Sequence, residues 1–206
     1  MITPDRLRSN ALKQLEEHEV LMRDGHFDYG NGYHGRVYLN PHAIFRHPAL
    51  IWRLAQDLIG IIPDAIVSQA EVVAGPVMGG ALLAHTMAGL IDGRRNLTLP
   101  PTSFAPLSID AGGTLTMRPF YQAIVRGRRV LLVDDVRNTG KTFERAKAII
   151  EEQGGIVIAT AEICDRLEAM VDLGVPNIAL AEYAAPDNHA AASCPMCQAG
   201  ERITRF

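Results

Sequence analysis

Two hydrophobic periods alternate along this 206-residue chain, and their alternation predicts its layout. From residue 4 to 22, Leu7, Ala11, Leu12, Leu15 and Leu21 recur at helical spacing among charges, with Pro4 well placed in a first turn. Residues 24–40 break that rhythm with Gly25, Gly30, Gly32 and Gly35 set among Asn31 and aromatics, a pattern of short strands and a hairpin. A second amphipathic helix follows Pro48, carries Leu50, Ile51, Leu54, Ala55, Leu58 and Ile59 on one face, and breaks at Pro63 and Asp64. Residues 71–74 read as a short strand, Gly75 to Gly80 as a glycine-rich loop, and Ala81 to Ala88 as a helix. His85 falls inside that apolar helix and is expected to be a packed core histidine.

Between Asp92 and Met117 the periodicity is lost among Pro100, Pro101, Pro106, Gly112 and Gly113. A connection longer than roughly 12–15 residues predicts a functional lid or a flexible hairpin, closed here by Arg118-Pro119-Phe120. Val130 to Val133 is a β-branched, apolar run that reads as a buried strand ending on Asp134 and Asp135. Phe143, Ala146, Ile149 and Ile150 then mark a helix face that stops at Gly154-Gly155. A strand over 156–163 runs into Cys164-Asp165-Arg166; a short helix over 167–173, a strand near 178–181 and a polar tail follow. Strands alternating with helices imply an α/β fold, a mostly parallel sheet flanked by helices, with ligands at the carboxyl ends of its strands.

The strand ends carry the candidate chemistry. Asp134 and Asp135 precede Arg137, Asn138, Thr139, Gly140, Lys141 and Thr142 at the start of a helix. A helix N-terminus carries roughly half a positive charge and unpaired N–H groups, so the corner suits a phosphate. Ionised carboxylates only accept hydrogen bonds, which suits the hydroxyls of a sugar attached to that phosphate. The same corner could instead be a pair of acids that end a strand and cap a helix. A nucleotide-binding P-loop is excluded because Asp135 stands where that motif needs its first glycine. Gly79 and Gly80 make a second corner at which backbone can approach a ligand closely, and Asp165-Arg166 a third.

Composition changes the picture only by exclusion. Apolar residues at 48%, charged residues at 21% and a net charge of −3 describe an ordinary globular chain without the basic surface of a nucleic-acid binder. No apolar run approaches a membrane span and no signal-peptide core opens the chain, so a cytoplasmic protein is expected. Three cysteines make no disulfide framework. Cys194 and Cys197 form one CxxC, for which two free thiols in a tight turn are expected. A zinc ion would want four ligands, with only His189 and Cys164 as remote candidates or a partner chain to share it.

Asp134 to Thr142 resembles the phosphoribosyl pyrophosphate (PRPP) signature of type I phosphoribosyltransferases. Gly25-His26-Phe27, and Gly32 followed by Tyr38-Leu39-Asn40, resemble the hood of the orotate branch of that family, and Val73 to Gly80 resembles its pyrophosphate loop. Cys194-Pro195-Met196-Cys197 is similar to a tail in some members. The resemblance implies a single domain over 1–206, with residues 1–45 supplying a helix and a small hood. It implies a PRPP-dependent transfer to a nitrogenous base, orotate-like pyrimidines preferred, with Mg²⁺ bound through the substrate and a homodimer as the assembly. Asp134 and Asp135 would hold the ribose hydroxyls beside the reacting carbon, and Arg137, Asn138, Thr139, Gly140, Lys141 and Thr142 the rest of PRPP. Gly75, Pro76, Val77, Met78, Gly79, Gly80 and Arg118 would take the pyrophosphate, and Tyr38, Leu39 and Arg166 the base. Lysines common in the family are replaced by Gly30 and Gly79, and residues 96–117 lack the cations of the family's catalytic loop. A non-catalytic, regulatory protein that binds PRPP or a nucleotide is therefore the alternative.

Overall fold

The computed structural model describes residues 3–29, 32–95, 99–167, 171–184 and 188–205. The first helical stripe forms α1 (Pro4–Glu17), which buries Ala11 and Leu15. It stops earlier than the periodicity predicts, because Leu21 belongs to a strand. Strands β1 (Leu21–Met22), β2 (Phe27–Asp28), β3 (Tyr33–Gly35) and β4 (Tyr38–Leu39) follow, with β1 paired antiparallel to β4 and β2 to β3. The lysine-to-glycine replacement at Gly30 lies outside the described residues.

A 3-10 turn over Pro41–Arg46 leads to α2 (Pro48–Ile61), and the helix resumes after Pro63 as α3 (Asp64–Gln69). The alternating half of the chain comprises β5 (Val72–Pro76), α4 (Gly79–Asp92), β6 (Ser103–Ile109), β7 (Leu115–Thr116), α5 (Pro119–Val125), β8 (Arg129–Arg137), α6 (Lys141–Glu152), β9 (Ile156–Asp165) and β10 (Asn177–Glu182). These strands form a six-stranded sheet in the order β10-β9-β8-β5-β6-β7, parallel except for β7. Side chains of β8 alternate between two cores, as period two requires. Leu131 and Val133 join α1, α2 and α4 on one face, whereas Val130 and Leu132 join α5 and α6 on the other. Among the described residues no helix is long and apolar enough to cross a membrane.

Several sequence expectations are corrected. The region 92–117 is not patternless: β6 is a strand of the main sheet, with Ala105 and Leu107 fully buried. Only its far end is a hairpin, turned at Asp110, whose Oδ1 accepts the N–H groups of Gly112 at 2.8 Å and Thr114 at 2.9 Å. Pro106 hides this strand from pattern reading; it is tolerated because a single missing N–H does not prevent register with β5. His85 is exposed rather than packed in the core, its ring 5.3 Å from that of Phe104. Leu167 and residues 171–173 are not helical, while the middle of the expected helix, residues 168–170, lies outside the described residues. The polar tail is also structured. Strand β11 (His189–Ala190) pairs with β3, Thr204 bridges to Phe27, and a short helix α7 (Pro195–Gln198) lies between them. The hood is thus built from both ends of the chain.

Glu162 is fully buried on β9, in register with Asp134 on β8. Its Oε1 accepts Asn177 Nδ2 at 2.8 Å, and burial pushes its carboxyl up to about 8. The folded state therefore keeps a proton that the unfolded chain releases near 4.5, so this group makes stability fall as pH rises from about 4.5 to 8. Glu162→Gln is expected to flatten that fall. Thermal unfolding should show little difference between variant and parent at pH 5 and a more stable variant at pH 9; equal losses with pH would refute the assignment.

Candidate active site

Parallel strands aligned by burial on both faces carry their carboxyl ends to one edge of the sheet, and there the polar strand ends meet. Strand β8 continues through the acids to Arg137 instead of stopping at Val133. Asp134 is buried and Asp135 half-buried. Asp135 N–H donates to Asp134 Oδ1 at 2.9 Å and Val136 N–H to Asp135 Oδ1 at 2.7 Å, which fixes both carboxylates. Burial raises both carboxyls above the ordinary aspartate range, and for Asp134 the neighbouring Asp135 charge raises it further. A pair of acids held this way favours any ligand that brings hydroxyl donors or positive charge.

A cavity of about 370 Å³ opens beside them, lined by Asp134, Asp135, Thr142 and Arg145 from the β8–α6 side and by Pro76, Val77, Met78 and Gly79 from the β5–α4 side. Residues 76–79 thus share this cavity with the acids, and the Val77–Met78 peptide is cis. Gly79 is required by this closeness, because a side chain there would start against the Asp135 carboxylate. Gly113 and Leu115 of the β6–β7 hairpin close one side. Pro41 and His42 close another, and the His42 charge acts on Asp135. His42 and Arg145 were not anticipated. Arg145 is the permanent cation among the described residues lining this cavity, with the His42 imidazole opposite, and neither lies in a motif: His42 sits in a short 3-10 turn and Arg145 a turn into α6.

The β8–α6 corner expected to suit a phosphate holds a smaller cavity of about 100 Å³, lined by Asp134, Arg137, Asn138, Thr139, Gly140, Lys141 and Thr142 among others. Gly140 caps α6 with φ 80°, in the left-handed region. The Arg137 guanidinium is buried beneath this loop. Its Nη2 donates to Val171 O at 3.3 Å, whereas Nε and Nη1 have no hydrogen-bond partner among the described residues. A buried, incompletely paired guanidinium at a helix N-terminus is an anion-binding arrangement.

A third cavity, about 480 Å³, lies under the hood and is lined by Tyr29, Tyr33, Val37, Tyr38, Leu39, Asn138, Arg166 and Asn188. Tyr29 donates to Val37 O at 2.6 Å and stacks on Tyr38 with ring centroids 6.3 Å apart. Tyr38, Leu39 and Arg166 therefore come together as expected, and Asn138 joins this cavity to the phosphate corner. Tyr29, Tyr33 and Asn188 were missed; the aromatics of the hood were visible, but Asn188 reaches the cavity only because the tail folds back. Arg118 caps α5 at an exposed position and lines none of these three cavities, contrary to the role implied for it.

Comparison with known proteins gives consistent results. A family model described as a phosphoribosyl transferase domain matches residues 41–173. Orotate phosphoribosyltransferase of Novosphingobium aromaticivorans is 32% identical over 170 residues, covering 82% of this chain and 81% of that protein. Among solved structures, orotate phosphoribosyltransferase from Aeropyrum pernix superposes with a TM-score of 0.61 at 19% identity, covering 82% of this chain and 92% of that one. Adenine phosphoribosyltransferase from Thermoanaerobacter pseudethanolicus gives the same TM-score, 0.61, at 17% identity, covering 84% and 99%. The fold is therefore shared by chains named for different bases.

Proposed function

The chain belongs to the phosphoribosyltransferase family of enzymes, and from that premise we propose that it transfers a phosphoribosyl group from PRPP to an orotate-like pyrimidine. The observation that carries this reading is the continuity of the cavities: the anion corner shares Asp134 and Thr142 with the cavity of the carboxylate pair, and Asn138 with the aromatic pocket that holds Arg166. The loop 138–142 and the α6 N-terminus hold the 5-phosphate, with Arg137 beneath them. Asp134 and Asp135 accept the ribose hydroxyls. Backbone N–H groups of residues 75–80 meet the pyrophosphate.

The base lies in the hood cavity, its carboxylate toward Arg166 and its ring against the tyrosines. The ring N–H gives up its proton to solvent, the nitrogen's electron pair forms the C1–N bond as the C1–O bond breaks, and pyrophosphate leaves with the latter pair. Positive charge gathers on the ribose as this happens, and the paired carboxylates lie where they offset it. Arg145 supplies positive charge on the leaving-group side, with the His42 imidazole as a hydrogen-bonding group beside it, whereas the hairpin turned at Asp110 carries no cation.

Mg²⁺ fits this site. The buried acids are hard oxygen donors, held about the cavity by the backbone N–H groups of Asp135 and Val136, and Asp134 and Asp135 would hold the ion through the substrate's oxygens. When bound, it neutralises the pyrophosphate and makes it a better leaving group.

Incubation with PRPP, Mg²⁺ and a panel of bases is expected to release pyrophosphate with orotate. No release with orotate, uracil or any purine, despite measurable PRPP binding, would replace this reading with the non-catalytic one. Arg166→Ala is expected to raise KM for orotate by about 10–100-fold, the loss of a charge-assisted hydrogen bond, with KM for PRPP nearly unchanged. An equal rise in both constants would remove Arg166 from the base site.

A further inference from the structure

His26, His34, Cys194 and Cys197 converge at the back of the hood, with their ligand atoms all within 4.8 Å of one another. His26 Nε2 lies 3.6 Å from each sulfur, Cys197 Sγ lies 3.3 Å from His34 Nδ1, and the two imidazole nitrogens are 3.2 Å apart. A tetrahedral zinc with Zn–S of about 2.3 Å and Zn–N of about 2.0–2.1 Å has edges of about 3.5 Å from N to S and about 3.3 Å from N to N. The four separations match those edges. We propose that this chain holds a structural zinc ion on His26, His34, Cys194 and Cys197.

The surroundings are those of a ligand set. His26 is 3% exposed, His34 5% and Cys194 1%, with Cys197 at the outer edge. His26 Nδ1 lies 3.0 Å from Glu201 O, so it carries the proton and leaves Nε2 free for metal. His34 Nε2 faces Asp28 Oδ1 at 3.9 Å, which leaves Nδ1 for metal, and Arg205 holds the other Asp28 oxygen at 2.9 Å. A carbonyl behind one histidine and a carboxylate behind the other orient metal-bound imidazoles. Two thiolates with two imidazoles select zinc among common divalent ions, and four protein ligands leave no open position for catalysis. This replaces the expectation of two free thiols, and also the remote candidates His189 and Cys164.

The ion ties the tail to the hood across 163 positions of chain, counted from His34 to Cys197. All four ligands lie outside the residues 41–173 matched by the family model. Two-residue strands bury too little to hold themselves, so a metal is a physical reason for the tail to stay folded. Tyr33 precedes His34 and Asn188 precedes β11, so the clamp also sets the wall of the hood cavity.

Metal analysis of untagged protein, purified under reductant without chelator, is expected to find about one zinc per chain. Cys194→Ser and Cys197→Ser should lose it, and Cys164→Ser should keep it. Strong chelators should lower the thermal midpoint of the parent and leave that of the folded serine variants unmoved. Should the variants fail to fold, chelator-treated parent titrated with Co²⁺ should acquire the intense visible absorption of a tetrahedral cobalt–thiolate centre. Protein without zinc and without that absorption, or zinc retained by both serine variants, would overturn the proposal. None of these readouts depends on the proposed reaction.

Discussion

Asp134→Asn and Asp135→Asn are each expected to lower kcat/KM for phosphoribosyl transfer by about 10²–10³-fold, the scale of removing one preorganised electrostatic group. Asparagine keeps the volume of aspartate and can still accept the fixing N–H bonds from Asp135 and Val136. What it loses is the negative charge that the proposed reaction sets against the ribose. The same substitution should act oppositely on the ligand-free fold. Burial and the neighbouring carboxylate raise Asp134 well above its ordinary value of 3.8, so folding retains a proton that unfolding releases, and stability falls as pH rises above about 4. Asp134→Asn is therefore expected to unfold at a higher temperature than the parent at pH 7, with the gain vanishing toward pH 4. Activity within tenfold of the parent would sink the assignment of these acids to the ribose.

Gly75→Ala is expected to cost about 3 kcal/mol, which lowers the thermal midpoint by roughly 6–12 °C in a chain of this size. A methyl group at Gly75 would run into the carbonyl of Gly80 and come within 2.8 Å of Val133 O. These are backbone atoms of α4 and β8, so no rotamer change relieves the contact. The strain falls on the corner where residues 75–80 face the acids, and PRPP binding should weaken along with stability. Gly89→Ala, on α4 with nothing within 4 Å, is the control and should be neutral or slightly stabilising. A midpoint unchanged by Gly75→Ala would show that β5 and α4 can separate, and would remove the close approach as a constraint.

Long elements were legible from spacing alone. The stripes of α1 and α2 and the run into β8 each bury an apolar face, and burial of that kind leaves a period in the sequence. Short or interrupted elements were not. Strand β6 carries Pro106 in its middle, and β11 has two residues, too few for any period. His85 looked interior because its neighbours are apolar, yet its own angular position on α4 faces out.

The site divides in the same way. Asp134 to Thr142 was readable because a strand, two acids and a glycine-capped helix are contiguous, so local chain geometry already assembles them. Tyr38, Leu39 and Arg166 were reached through resemblance to a family and are brought together by the fold. His42 and Arg145 enter the cavity from separate elements, and no local spacing marks them. Arg118 looked suitable because it closes the polar stretch, but α5 holds it apart from the cavities.

The sequence by itself determined the α/β layering and the corner of two acids and a glycine-capped helix, because both follow from local periodicity and from residues adjacent in the chain. Only the tertiary structure decided which distant side chains share a space. His26 and His34 stand at one end of the chain and Cys194 and Cys197 at the other, and nothing in their spacing joins them. They meet because the tail adds a strand to the hood, and that pairing rests on backbone hydrogen bonds that any side chains could make.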